Sequence, residues 1–363
     1  MLLGAIATAS GTIAAALPRQ RCGANLPSDT GAVPDPRIQG PFPILSTPFT
    51  ASGAVDFDAL ARQACYVDWC RCPGMIWPQS GDSVDLLTND EKLKGMEVLA
   101  KTARKLTTTA LCLGVQGKDT AEMLMFAEHA EKLAPPAIIS RPPDSGKTED
   151  DLRQYWHALA SVTKRPVFIQ TTGGVAYKGP IPSVDLLTEL ARDFPNFGYV
   201  KEEAGNVIAR TRALLAAKPP IRRVFSARGG FGWLYELRLG SEGLITERAI
   251  YADVLTRIWE LYQSGSDPAA LRDAYSRFLL MLNLNRTHPG SDLRGIQLYL
   301  WKKRGVFQTM VSRHYGPGGS IPASPIHSEL ELTEEEIAEI EFRFEALQPY
   351  QQPGSPSFAA AGQ

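Results

Sequence analysis

Phe197-Gly198-Tyr199-Val200-Lys201 is a short apolar run that ends on a charge. Read as a strand, it is too apolar for a sheet edge and suits a strand buried on both faces. Seven more runs of this kind recur along the chain. In order, the eight cover residues 42–46, 74–77, 107–115, 137–140, 167–171, 197–201, 223–227 and 243–246. Longer helical patterns separate them. Met123, Phe126, Ala127 and Ala130 form the stripe of one crossover helix, and Trp156, Leu159 and Ala160 belong to the next. Asp56, Thr88 and Thr148 each precede such a segment as N-caps, Thr88 with Glu91 as a capping box. Alternating strands and helices predict a parallel sheet, and eight such units close a (β/α)8 barrel.

The reading sets the domain plan. Residues 40–250 form the barrel. Residues 251–348 carry only helical patterns, at 251–262, 269–284, 293–303 and 334–347, expected to pack on the barrel or on another subunit. Residues 1–39 form a leader and linker. The run 2–17 is rich in small apolar residues and ends near Ala14-Ala15-Ala16, as the core of an export signal does, but no basic segment precedes it. The leader is therefore either a truncated export signal or an inert extension, and the protein is correspondingly exported or cytoplasmic. Residues 349–363 are poor in packing residues and are expected to be a disordered tail.

Composition narrows the partners. The 38 basic and 39 acidic residues balance without a like-charge run, which argues against nucleic acid or an anionic membrane as partner and for a small molecule. Five cysteines, Cys22, Cys65, Cys70, Cys72 and Cys112, are too unevenly spaced for a disulfide framework and read as buried thiols. His129 and His157 fall in helical patterns and His288, His314 and His327 in the C-terminal region, so neither a metal nor any other cofactor is expected.

In a barrel, chemistry comes from the C-terminal ends of the strands. That rule selects Lys201, whose amine would finish in the mouth, where burial favours the free base that attacks a carbonyl. Four segments, in order, carry a resemblance over residues 41–347. They are Ser46-Thr47-Pro48-Phe49 with Gly53 and Val55-Asp56; Pro78-Gln79-Ser80-Gly81-Asp82 with Leu86-Leu87-Thr88-Asn89-Asp90-Glu91; Tyr199-Val200-Lys201-Glu202; and Gly240-Ser241-Glu242-Gly243-Leu244-Ile245-Thr246. Together they resemble the dihydrodipicolinate synthase and N-acetylneuraminate lyase family, the Schiff-base aldolases.

The resemblance implies that Lys201 forms the imine with a 2-oxo acid such as pyruvate, or with a sugar acid. It implies too that the acid's carboxylate rests on Gln79, Ser80 and Gly81, and that Ile245 offers a backbone carbonyl nearby. A small glycine-containing loop with a serine hydroxyl is chemically apt for an anion. Thr47 is either a polar contact at the mouth or a strand threonine with a satisfied hydroxyl. Aldol cleavage and water elimination both pass through the enamine, and a homotetramer or dimer is implied by resemblance alone.

The chain also departs from the family. Where the fifth strand should end in Y-N-x-P it reads Phe168-Ile169-Gln170-Thr171-Thr172, so Gln170 takes the place of the proton-relaying tyrosine. An amide hydrogen-bonds but does not ionise. The fourth strand has Pro142-Pro143 for P-Y-Y, and no arginine follows the fifth strand in Gly173-Gly174-Val175-Ala176-Tyr177-Lys178. Glu202, Tyr177 and Tyr235 are candidates to replace the relay. Arg141 and Arg228, at strand ends, are candidates for a second carboxylate or sugar-acid oxygen, or else structural ion pairs. The competing functions are a lyase, a 2-oxo acid binding protein with little turnover, and a metal-dependent aldolase.

Overall fold

The computed structural model describes residues 37–284, 293–354 and 356. Leader residues 1–36, Cys22 and His288 lie outside them. The strands are β1 (Gly40–Pro43), β2 (Gly74–Trp77), β3 (Ala110–Gly114), β4 (Ala137–Ser140), β5 (Val167–Gln170), β6 (Tyr199–Lys201), β7 (Arg223–Ser226) and β8 (Gly243–Thr246). All neighbours pair in parallel, in the order β1-β8-β7-β6-β5-β4-β3-β2. The seam between β1 and β2 is joined by a bridge of Ile44 with Ile76 and by the Leu45 N–H donating to Ile76 at 2.9 Å. The result is the (β/α)8 barrel that the sequence predicts.

The crossover helices are α1 (Phe57–Trp69), α2 (Asn89–Ala103), α3 (Thr120–Leu133), α4 (Glu149–Val162), α5 (Val184–Asp193), α6 (Val207–Ala216) and α7 (Trp233–Leu239), with α8 (Ala252–Ser264) after the last strand. Asp56, Thr88 and Thr148 cap α1, α2 and α4, the last two as complete capping boxes. Met123, Phe126, Ala127 and Ala130 of α3 are buried, as are Trp156, Leu159 and Ala160 of α4.

Inside the barrel, alternate residues make a floor. Phe42, Phe168 and Phe225 meet with ring centroids 4.9–5.9 Å apart, and Tyr199 packs on Phe168 at 5.5 Å. Rings of that size fit because glycines face them. A Cβ on Gly74 would stand 2.2 Å from the Phe42 ring, and one on Gly243 2.3 Å from Phe225. Two residues further along, β5 and β6 place Gln170 and Lys201 above this floor, and the two are register partners.

Beyond the barrel come α9 (Pro268–Leu282), α10 (Leu293–Lys303) and α11 (Glu334–Glu345). The helical reading of this region missed an antiparallel hairpin of β9 (Val311–His314) and β10 (Ile326–Glu329). Its strands are only four residues each, and β10 is exposed throughout, so no apolar alternation announced it. The expected tail also starts late: the Tyr350 hydroxyl donates to Asp273 at 2.7 Å and the Gln352 N–H to Asp253 at 3.2 Å. Residues 355 and 357–363 of that tail lie outside the described residues.

Among the described residues, no helix is long and apolar enough to cross a membrane. Cys70, Cys72 and Cys112 are buried free thiols and Cys65 is half-buried. Burial pushes Cys72 up to about 12 and raises the other three, so all four are held as protonated thiols.

Because the floor depends on an absent side chain at residue 74, Gly74→Ala should lower stability by about 1–3 kcal/mol through overpacking against Phe42. The urea midpoint of the variant measures this, and an unchanged midpoint would show that the ring can move aside.

Candidate active site

Lys201 ends β6 with its side chain 5% exposed. A lone buried ammonium would be costly, but this one has partners. Its Nζ donates to Gln170 Oε1 at 3.0 Å and stands 3.4 Å from Glu203 Oε1. Gln170 Nε2 turns the other way, to the Thr172 carbonyl at 2.9 Å and the Thr172 hydroxyl at 3.2 Å. The Thr172 hydroxyl in turn donates to Glu203 Oε1. Lys201, Gln170, Thr172 and Glu203 thus form a closed ring of polar contacts on the ends of β5 and β6.

Strand alternation decides which acid faces the amine. Lys201 and Glu203 share the inward face, whereas Glu202 points outward, fully buried beneath α6. There it accepts from Thr171 at 3.0 Å, the Ala204 N–H at 2.8 Å and Arg210 at 3.0 Å. Burial raises Glu202 above the ordinary carboxylate range, and these partners only partly offset it. The other suggested relays are elsewhere too. Tyr177 donates to the Pro180 carbonyl, and Tyr235 is exposed on α7, taking a hydrogen bond from Arg212 at 3.0 Å. None of the three touches the amine. Period-two alternation applied to Lys201-Glu202-Glu203 would have selected Glu203.

The loop after β2 brings the expected anion-binding residues to the same mouth. Gln79 is fully buried; its Oε1 accepts from the Ser80 N–H at 2.6 Å, and its Nε2 has no partner among the described residues. Gly81 has φ +93°, a conformation that favours glycine, and lies against Glu247 at the end of β8. Arg141, at the end of β4 and 4% exposed, donates to the Ser80 hydroxyl and pairs with Asp85, leaving its Nε without an acceptor among the described residues. Its guanidinium abuts Gly174, where a Cβ would come within 2.3 Å. Ser80, Arg141 and Gly174 therefore continue the polar rim from β2 to β5.

Thr47 keeps both functions busy. Its hydroxyl donates to Asp82 and accepts from the Trp77 indole at 3.0 Å, and its N–H donates to Asp82 at 2.9 Å. Asp82 also pairs with Arg294 of α10 at 2.9 Å. Ile245 is buried among the barrel's interior side chains, one layer below Glu247. Arg228 is exposed on the rim and donates to the carbonyls of Glu203 at 2.8 Å and Gly205 at 3.1 Å. Through these bonds it holds the β6 loop by its backbone.

The hairpin contributes to the mouth as well. Arg313 of β9, stacked on the Phe49 ring, donates to the Gly53 carbonyl at 2.9 Å, the Leu86 carbonyl at 3.0 Å and both carboxylate oxygens of Glu91. Tyr315 follows, and Asp82, Asp85, Arg141 and Arg294 all act on its hydroxyl, which burial pushes up to about 12. It is a neutral hydroxyl at ordinary pH. For a cation, the described residues offer one cluster, His157, Glu189 and Asp193. It sits on the outside of α4 and α5, with Glu189 already paired to Arg153 at 2.8 Å.

No family model matches the chain. It is 27% identical over 259 residues to a 4-hydroxy-tetrahydrodipicolinate synthase of Chlorobium chlorochromatii, covering 70% of this chain and 84% of that one. A synthase of the same name from Rhizobium meliloti is 27% identical over 209 residues, 54% of this chain and 68% of the relative. A DapA-like lyase of Pyrococcus abyssi is 22% identical over 239 residues, 65% and 78% of the two chains. The fold is also that of solved structures. The synthase of Methylacidiphilum fumariolicum superposes with TM-score 0.69 at 17% identity over 86% of this chain and 97% of its own. YagE of Escherichia coli, solved with pyruvate, gives 0.69 at 19% identity over 86% and 99%.

Docking of the hairpin carries a pH dependence of known sign. Burial alone would raise the Glu91 carboxyl, but the Arg313 hydrogen bonds, the Thr88 N–H and the Arg313 charge outweigh it and hold Glu91 below its ordinary 4.5. A depressed folded-state value stabilises above the unfolded one, and the contribution vanishes as pH falls through the folded value. Arg313→Ala should therefore cost about 2–3 kcal/mol at pH 7, and its difference from the parent in thermal melts should narrow as pH falls below the ordinary carboxylate value of 4.5. A difference that stayed constant with pH would refute the assignment to Glu91.

Proposed function

We propose that the chain, which is a divergent member of the dihydrodipicolinate synthase and N-acetylneuraminate lyase family, works as a lyase through an imine on Lys201. Its substrate class on this reading is a 2-oxo acid such as pyruvate, or a sugar acid. The observation that carries the reading is the setting of Lys201. The amine is buried in the barrel mouth, hydrogen-bonded to an amide, and joined around the rim to a loop with unspent donors.

Each part has a task in the chemistry. The amine, once deprotonated, attacks the 2-oxo carbon, and loss of water leaves a protonated imine. That cation draws electrons from the adjacent carbon–carbon bond or C–H bond. Aldol cleavage and elimination of a β-hydroxyl are both open to it. The acid's carboxylate is received at Gln79, Ser80 and Gly81. There Gln79 Nε2 and Arg141 Nε are buried donors without acceptors among the described residues, and such donors are expensive unless a ligand uses them. Ile245 contributes its backbone carbonyl close by. Thr47 acts here by fixing Asp82 and the loop, and Arg228 by fixing the backbone around Glu203.

Lysine synthesis does not follow from the relatives' names, because neither the relay tyrosines nor the arginine after the fifth strand is present. Several copies of the chain are expected to associate. Phe342 of α11 is 69% exposed and Leu280 of α9 is 43% exposed. The Leu280 carbonyl accepts from Arg343, so the two apolar side chains lie on adjoining helices whose outer face suits a second subunit.

Borohydride reduction in the presence of pyruvate, other 2-oxo acids and sugar acids, read by intact mass and peptide mapping, should leave one adduct per chain on Lys201. Lys201→Arg should abolish it. No adduct with any acid of the panel would sink the imine reading.

A further inference from the structure

The relay tyrosine of the fifth strand is replaced by an amide that cannot ionise, yet an imine enzyme must still move a proton at the carbon next to the imine. The geometry points to Glu203 as the general base and acid for that proton. We propose that its carboxylate removes the C3 proton of the 2-oxo acid bound to Lys201 and later returns one.

Three observations lead there. First, Glu203 Oε1 is 3.4 Å from Lys201 Nζ, and its side chain is 16% exposed. In the imine, C3 lies only two bonds from Nζ, so a carboxylate that close to the nitrogen reaches the C3 proton by a small rotation of its own side chain. Second, the carboxylate is aimed. The Thr172 hydroxyl donates to Oε1 and is itself an acceptor for Gln170 Nε2 at 3.2 Å. Gln170 thereby becomes a positioning residue. Its amide sends oxygen to the amine and nitrogen to Thr172, and this fixes the direction of every hydrogen bond in the ring. Third, the backbone of Glu203 is held from outside, its N–H donating to the Thr171 hydroxyl at 3.0 Å and its carbonyl accepting from Arg228 at 2.8 Å.

The other acids of the region are committed elsewhere. Glu202 faces away beneath Arg210, Asp82 is shared by Thr47 and Arg294, Asp85 pairs with Arg141, and Glu247 is 3.2 Å from Arg248. Glu203 alone among these carboxylates contacts the amine.

The step balances without a co-reactant. Glu203 takes the C3 proton, the C–H electron pair becomes the C2=C3 bond, and the C2=N π pair returns to nitrogen, giving the neutral enamine and a protonated Glu203. Return of the proton to C3 reverses each move. The Thr172 hydroxyl donates to Glu203 Oε1 and keeps that oxygen on the side of the amine.

This inference rests on the imine at Lys201, and the test separates the two. The protein is incubated with pyruvate in D2O, and loss of the methyl proton signal is followed by NMR; borohydride trapping is run on the same samples. The parent should exchange the methyl protons and trap at Lys201. Glu203→Gln should trap to the same extent but exchange about 100-fold more slowly or less, while Glu203→Asp should trap fully and exchange at an intermediate rate. Unslowed exchange in a Glu203→Gln protein that still traps would overturn the proposal, and so would loss of trapping in that variant, which would place Glu203 at imine formation instead. A parent with no adduct removes the imine reading and this inference with it. Should Glu203→Gln not fold, Glu203→Asp decides: slowed exchange with full trapping supports the role, and exchange at the parent's rate excludes it.

Discussion

A closed sheet of eight parallel strands turns only every second side chain inward, and each inward position sits in a layer with a fixed height. The rest of this molecule depends on that constraint. Phenylalanines fill one layer, glycines on neighbouring strands make room for them, and the next layer must then carry whatever the strands offer two residues later. On β5 and β6 that is an amide and an amine in register. The amine is buried because the floor beneath it is solid, and it tolerates burial because the following inward residue is a carboxylate.

How much of this could be read from the chain follows from the range of each signal. The apolar runs, the caps Asp56, Thr88 and Thr148, and Lys201 at a strand end are local features, visible within a few residues. The orientation of Glu202 and Glu203 is equally local, a matter of counting by two past Lys201. Arg228 was harder. Its backbone is left-handed, φ +53°, and its guanidinium donates to the carbonyls of Glu203 and Gly205, contacts that no local pattern in the sequence encodes.

The hairpin lay beyond local reasoning altogether. Four-residue strands with an exposed second member carry almost no alternation, and their ties to the barrel include one arginine threading to residues more than two hundred positions earlier. Arg313 is buried by a phenylalanine face, two carbonyls and a carboxylate at once. Such a site exists only once the loops after β1 and β2 have been assembled. The consequence is that a segment distant in sequence delivers Tyr315, a hydroxyl kept neutral by burial, to the neighbourhood of Arg141 and Arg294.

On the proposed imine reading, a glutamine instead of a tyrosine at the strand end beside Lys201 leaves that position without a proton relay. A binding protein would have no need to restore it. Here the ring around the lysine contains a carboxylate at the next inward position, oriented by a hydroxyl that the same glutamine orients. An amide is the better neighbour for that purpose. It has a fixed acceptor for the amine and a fixed donor for the threonine, so it can relay orientation without competing for the proton. On this view the glutamine and Glu203 form one arrangement, in which the acid–base function has moved from one strand to the next and the position it left has taken over its alignment.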